Sequence, residues 1–357
     1  MHPLDNIDRR QFVQGVLAAS CALVRPARAG DTPINIGDMH SHLFFFGMGA
    51  SPEKKPLGAT MAAGNATLVA WSLVGDVPWL RVTGQGIKQK GQPKRGEAIA
   101  WFEADLARIK QHLAEQKLKL ALTPEDVDKA VAGEPHVVLT VEGATFVEDD
   151  PSPLAHAYEL GIRSVQLVHY IENPLGDFQT ERPQYGGLTD LGRKVIAECN
   201  RLGMLVDLAH CTDTCVREAL EVATQPIVWS HSSVTRTRQP NWKMPVWQAR
   251  QLPLSTAKLI ADKGGVVGLW PMRSDVGASP EAYAERAWEL GEWLGVDHVA
   301  FGTDMNAISR PAIANYADLQ KAVRSWQQAG FPAESIRKIA IDNFARVLKQ
   351  AMSGRQA

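Results

Sequence analysis

Cysteine is scarce: the chain has four in 357 residues, and none falls in a Cys-x-x-Cys spacing. That pattern excludes a zinc ribbon and leaves too few thiols for a disulfide framework. Cys211 and Cys215 lie one helical turn apart and are near enough to bridge, but two small buried thiols are the simpler expectation. An excess charge of either sign is also missing, with 38 basic against 39 acidic side chains and a formal net charge of -1. The balance gives no electrostatic case for nucleic acid or an anionic membrane surface as a partner. No run reaches ~18 uninterrupted apolar residues, so no segment reads as a membrane-spanning helix. Internal repeats and low-complexity tracts are absent, which excludes a solenoid.

The N-terminus has the character of an address. Arg9-Arg10 precedes a short apolar stretch, residues 15–24 (GVLAASCALV), and then Arg25-Pro26-Ala27-Arg28-Ala29. Paired arginines, a brief apolar core and an Ala-x-Ala ending resemble a twin-arginine export signal. The expectation is a segment 1–29 that engages export machinery and is cleaved, leaving 30–357 in the periplasm. An amphipathic first helix is the alternative reading. Lipid anchoring through Cys21 ranks below simple cleavage, because Ala18 stands where a lipobox usually carries Leu.

The remaining chain alternates short apolar runs with amphipathic stretches, the signature of a parallel sheet under covering helices. Strands are expected at 34–40, 66–75, 136–142, 162–169, 203–210, 226–231, 265–270 and 298–304. Helices are expected at 97–116, 189–202, 212–223, 253–263, 280–294, 315–329 and 334–350. Thr189 suits an N-cap, and Gly203 suits the position just past a helix end. Segments 44–65, 76–96 and 170–188 read as long loops at the carboxyl ends of strands. The sum is an α/β fold, a single (β/α)8 TIM-type barrel, occupying 30–357 as one domain.

Five of the ten histidines fall at or just after predicted strand ends: His40, His42, His169, His210 and His231. Glu142 and Asp304 occupy similar places. Strand ends of a parallel barrel converge on one rim, so these imidazoles and carboxylates become neighbours able to bind one or two divalent ions. In His40-Ser41-His42 alternate residues face the same way, so both rings can reach one ion. His112, His136, His156 and His298 fall in helices or at strand starts and have no assigned role. Asp38 and Asp207 flank ligand positions and are candidates to orient imidazole N–H groups, a buried structural role being the alternative for Asp207.

Stretches 38–42 (DMHSH), 141–144 (VEGA), 167–169 (LVH), 187–192 (GLTDLG), 200–210 (NRLGMLVDLAH), 230–233 (SHSS) and 297–304 (DHVAFGTD) resemble the membrane dipeptidase family in order and spacing. The resemblance implies a distorted barrel with a two-zinc centre. His40 and the residue at position 42 would hold one ion, His210 and His231 the other, and Glu142 would bridge them. It further implies that His169 holds the substrate's carbonyl oxygen and that Asp304 moves protons beside a metal-bridging hydroxide. A dipeptide or similar small amide is the expected substrate.

Two departures from the family pattern stand out. His42 replaces the usual Asp, which raises the charge of the centre by one unit while keeping a zinc-binding side chain. The Arg-Asn pair expected after His231, whose Arg grips a substrate carboxylate, is not evident, and Arg238 is the candidate substitute. These departures keep alternatives open: an amidohydrolase acting on a lactone, ester or cyclic amide, or a non-catalytic metal-binding homologue. A homodimer is compatible with the sequence.

Overall fold

The computed structural model describes residues 33–42, 56–84 and 86–356. Residues 1–29, expected to direct export, with Cys21 among them, and most of the first long loop lie outside the described residues.

Eight parallel strands form the barrel: β1 (Ile36–Ser41), β2 (Ala66–Val74), β3 (His136–Glu142), β4 (Ile162–Gln166), β5 (Leu205–Asp207), β6 (Val228–Ser232), β7 (Val266–Leu269) and β8 (Val299–Phe301). They pair in chain order, and a two-residue strand, Lys119–Leu120, adds to the start of β3. Every residue of these eight strands is buried. That explains their richness in Val, Leu and Ile, since helices cover one face and barrel contents the other.

Between β1 and β8 the ring closes without a regular ladder. Asp304 N–H donates to His40 O at 2.9 Å and His42 N–H to Met305 O at 3.0 Å. Below them the Asp38 carboxylate accepts from Thr303 N–H (2.9 Å) and Thr303 Oγ (2.6 Å), so a side chain does the work of a strand. Burial raises the Asp38 carboxyl to about 6. Two glycines make the interior possible: a Cβ on Gly268 or Gly302 would overlap the carbonyl oxygen of Ser230.

Helices Glu97–Glu115, Asp190–Leu202, Asp213–Val222, Leu254–Asp262, Pro280–Leu294 and Tyr316–Gln328 surround the barrel. Thr189 Oγ caps Asp190–Leu202 by accepting Gly192 N–H, and Gly203 ends it at φ 76°. The sequence reading needs correction in several places. Segment 44–65 contains the helix Leu57–Ala63, and 76–96 contains a β-hairpin, Leu80–Thr83 with Gly86–Gln89. Helices Pro124–Val131 and Pro153–Glu159 were not anticipated. The expected helix 334–350 is three pieces, Ala333–Arg337, a π turn Lys338–Asp342 and Asn343–Ser353. Strands expected to reach 169, 210 and 304 stop at Gln166, Asp207 and Phe301, because the chain leaves the ladder to turn its functional side chains inward. Cys199, Cys211 and Cys215 are buried free thiols.

Candidate metal and catalytic site

At the carboxyl-end rim, where barrel loops build sites, five imidazoles converge on one carboxylate. Glu142 ends β3 and is 2% exposed. Its Oε1 lies 3.1 Å from His210 Nε2, 3.4 Å from His231 Nε2, 3.5 Å from His169 Nε2 and 3.6 Å from His40 Nε2. Its Oε2 lies 3.2 Å from His42 Nε2. Asp304 faces the same ring, with Oδ1 3.3 Å from His42 Nε2.

The imidazoles also approach each other. His40 and His42 stand 3.1 Å apart, Nε2 to Nε2, and His210 and His231 stand 3.3 Å apart. Two nitrogens bound to one tetrahedral zinc at about 2.0–2.1 Å are separated by roughly 3.3 Å. The donor set thus fits two cations sharing Glu142, and neutral nitrogen with carboxylate oxygen is the donor chemistry zinc takes.

Electrostatics favour the same occupants. Burial outweighs all else at His231 and pushes its pKa down to about 3, with His40 adding to the effect. Burial and then Arg250 hold His210 well below the imidazole range. Both therefore present neutral rings. Burial opposes charge on Glu142, yet His169, His40 and their neighbours together hold its carboxyl well below the usual range. Burial likewise opposes charge on His42, but Asp304 and Glu142 win and raise it to about 10. Asp304 is depressed to about 2: burial works against this, and His42, His231 and His40 together outweigh it. A cation held by His40, His42 and Glu142 would take the place of the proton on His42.

The outer nitrogens of His42, His231 and His169 are held by groups the sequence did not point to, whereas the buried His210 Nδ1 has no partner among the described residues. Ser72 O pairs with His42 Nδ1 at 3.0 Å, and Ser230 Oγ with His231 Nδ1 at 2.9 Å. The fully buried Asp76 carboxylate accepts from His169 Nδ1 at 2.7 Å and from Tyr170 N–H at 3.0 Å. Asp38 does not orient a ring as expected but accepts from the backbone and hydroxyl of Thr303 and from Tyr316 Oη. Asp207 takes the buried structural role that was its alternative, accepting the N–H groups of Ala209 and Ser230 at 2.9 and 3.1 Å. His210 and Asp304 both sit at positive φ, 70° and 46°. Such backbone costs about 1–3 kcal/mol per residue and is found where a side chain must be aimed. His112, His136, His156 and His298 lie away from the cluster, with partners such as Glu134 O for His136 and Gly265 O for His298.

Above the cluster opens a cleft of about 800 Å³, floored by His42, Glu142, His169, His210 and Asp304. Arg250 lines it, whereas Arg238 does not; Arg238 bonds Gln251 at 3.2 Å and lies over Trp247. The Arg250 guanidinium is 2% exposed and touches Gln179 (3.2 Å), His231 O (3.4 Å) and Tyr170 Oη (3.5 Å). No carboxylate pairs with it among the described residues. The clue in the sequence was Arg250-Gln251, a near match to the missing Arg-Asn pair, displaced to 19 residues beyond His231.

Comparison with known proteins agrees with this picture. The profile of the membrane dipeptidase family, peptidase family M19, matches residues 61–357. Dipeptidase tcpJ of Claviceps purpurea is 25% identical over 306 residues, covering 81% of this chain and 68% of its own. Dipeptidase aclJ of Aspergillus oryzae is 27% identical, and the match covers 59% of this chain but only 50% of that one. A metallo peptidase from Rhodobacter sphaeroides, solved with a phosphinate mimic of the dipeptide L-Ala-D-Ala, shares the fold with a TM-score of 0.71 at 20% identity, over 90% of this chain and 100% of that one. The chain belongs to the membrane dipeptidase family, peptidase family M19.

Proposed function

We propose that the protein hydrolyses the amide of a dipeptide, or of a similar small amide with a free carboxylate, at a two-zinc centre. The observation that carries this reading is Glu142, buried and faced by five imidazole nitrogens at 3.1–3.6 Å. His40 and His42 would hold one ion and His210 and His231 the other, with Glu142 shared. When bound, the ions supply Lewis-acid polarisation of the scissile carbonyl and an acidified water.

The protein's own groups do the rest. Asp304 stays ionised across the neutral range and takes a proton from the attacking water for delivery to the leaving amine. His169, its Nδ1 committed to Asp76, turns Nε2 toward the reacting carbonyl; its protonated form, supported by Asp76 against the cost of burial, donates to the developing oxyanion. Arg250 binds the substrate carboxylate in the fork-to-fork manner of guanidinium pairs.

Purified protein is expected to carry about two zinc ions per chain and to cleave L-Ala-D-Ala. Chelation should abolish turnover, and added zinc should restore it. Glu142→Ala with full metal content, or lactone hydrolysis with no dipeptide cleaved, would overturn the reading.

A further inference from the structure

The cleft is larger than two small residues joined by one amide require. Its volume of about 800 Å³ lies in the upper part of the ~300–1,000 Å³ range that houses drug-sized ligands. Its chemistry is divided. The polar part is deep, with Arg250 and Glu142 each 2% exposed. The outer wall is apolar: the hairpin contributes Val82 and Ile87, and the segment 242–247 contributes Trp242, Pro245, Val246 and Trp247. Hairpin and segment meet as one surface, since a Cβ on Gly86 would stand 3.1 Å from Val246 Cγ2. Of the cations at this rim, Lys88 is paired with Glu181 at 2.6 Å, and Lys243 lies over the ring of Trp242 on the wall itself. Four large hydrophobic side chains are exposed among the described residues, and two of them, Val82 at 62% and Trp242 at 38%, stand on this wall. Exposed apolar groups gathered at the mouth of a cleft mark what the cleft receives.

We propose that the preferred substrate carries a large apolar group, an aromatic side chain or hydrocarbon of similar bulk, on the amino side of the scissile amide. The inference rests on the dipeptidase reading. With the carboxylate anchored deep on Arg250 and the amide over Glu142, the amino-side residue is the one that extends outward to Val82 and Trp242.

The test is a series X-D-Ala in which X is Ala, Leu, Phe or Trp, assayed with zinc-loaded enzyme. We expect kcat/KM to rise about tenfold or more from Ala to the aromatic members, the scale on which apolar pockets discriminate. In Val82→Ser/Trp242→Ser, and to a lesser degree in Trp242→Ser alone, the aromatic-over-Ala ratio should fall by about tenfold while thermal melting verifies the fold. Cleavage of L-Ala-D-Ala as fast as the aromatic members, or a ratio that survives in both variants, would overturn this inference and leave the dipeptidase reading standing. Gain from L-Ala-D-Phe but not L-Phe-D-Ala would also overturn it. If no member is cleaved, the dipeptidase reading fails and takes this inference with it.

Discussion

A guanidinium out of water with no carboxylate beside it destabilises a folded chain, because the charge is desolvated and its hydrogen bonds are long. Arg250 is such a group, and its position over the metal cluster is what the substrate carboxylate would complete. Arg250→Met keeps the bulk and removes the charge. Its KM for a dipeptide should rise about 10–100-fold, from the roughly 1.5–3 kcal/mol of a charged hydrogen bond, whereas a dipeptide amide should show little difference between the two enzymes. The melting temperature of the variant should be unchanged or higher, since function rather than stability retains the charge. An equal KM effect on the amide would count against carboxylate binding.

At the scale of elements, the sequence revealed what a strict period or a strand-end ligand imposes. The all-buried strands, the helix from Thr189 to Gly203 and the histidines at the rim were legible because a parallel barrel leaves a side chain few other places to converge. Short elements were not. Pro124–Val131 and Pro153–Glu159 span about two turns, too little for a 3.6-residue period to stand out, although Thr123-Pro124 and Ser152-Pro153 are good helix starts. The hairpin was hidden by its Gly and Lys content. Arg250 and Asp76 were missed for another reason, since each acts on a residue distant in the chain and leaves no spacing to read, while Ser230 bonds its own neighbour His231 and a serine beside a histidine is too common a pair to stand out.

The helices also fix the state of the thiols. Burial raises Cys199 to about 12, Cys215 to about 11 and Cys211 well above its ordinary range. Only the thiolate reacts, so these groups should be inert at neutral pH. Iodoacetamide followed by peptide mass spectrometry should leave all three unmodified in the native protein and label all three after denaturation. Labelling of Cys211 or Cys215 in the native state would mean that the rim loop opens far more than its packing implies.

On the scale of the whole molecule, the barrel interior has no room beside Ser230. Gly302→Ala should cost about 1–3 kcal/mol, as overpacking does, and should lower zinc content too, because the displaced Ser230 carbonyl is bonded directly to His231. Melting and metal analysis measured together check this; lost stability with undiminished zinc would separate packing from the site. Export is a proposal on the same scale. We propose that residues 1–29 direct it, so the exported protein should begin at Gly30, and Arg9→Lys with Arg10→Lys should hold the precursor in the cytoplasm. N-terminal sequencing of cell fractions decides it.

The join between β1 and β8 has a temporal consequence. Asp38 and Thr303 are 265 residues apart in the chain, and the peptide groups of His40, His42 and Asp304 take part in fastening them. A chain synthesised only as far as β7 should therefore lack the closed rim, because Asp304 and Met305 are not yet there to bond His40 and His42, and a protein truncated before Val299 is expected to show no turnover.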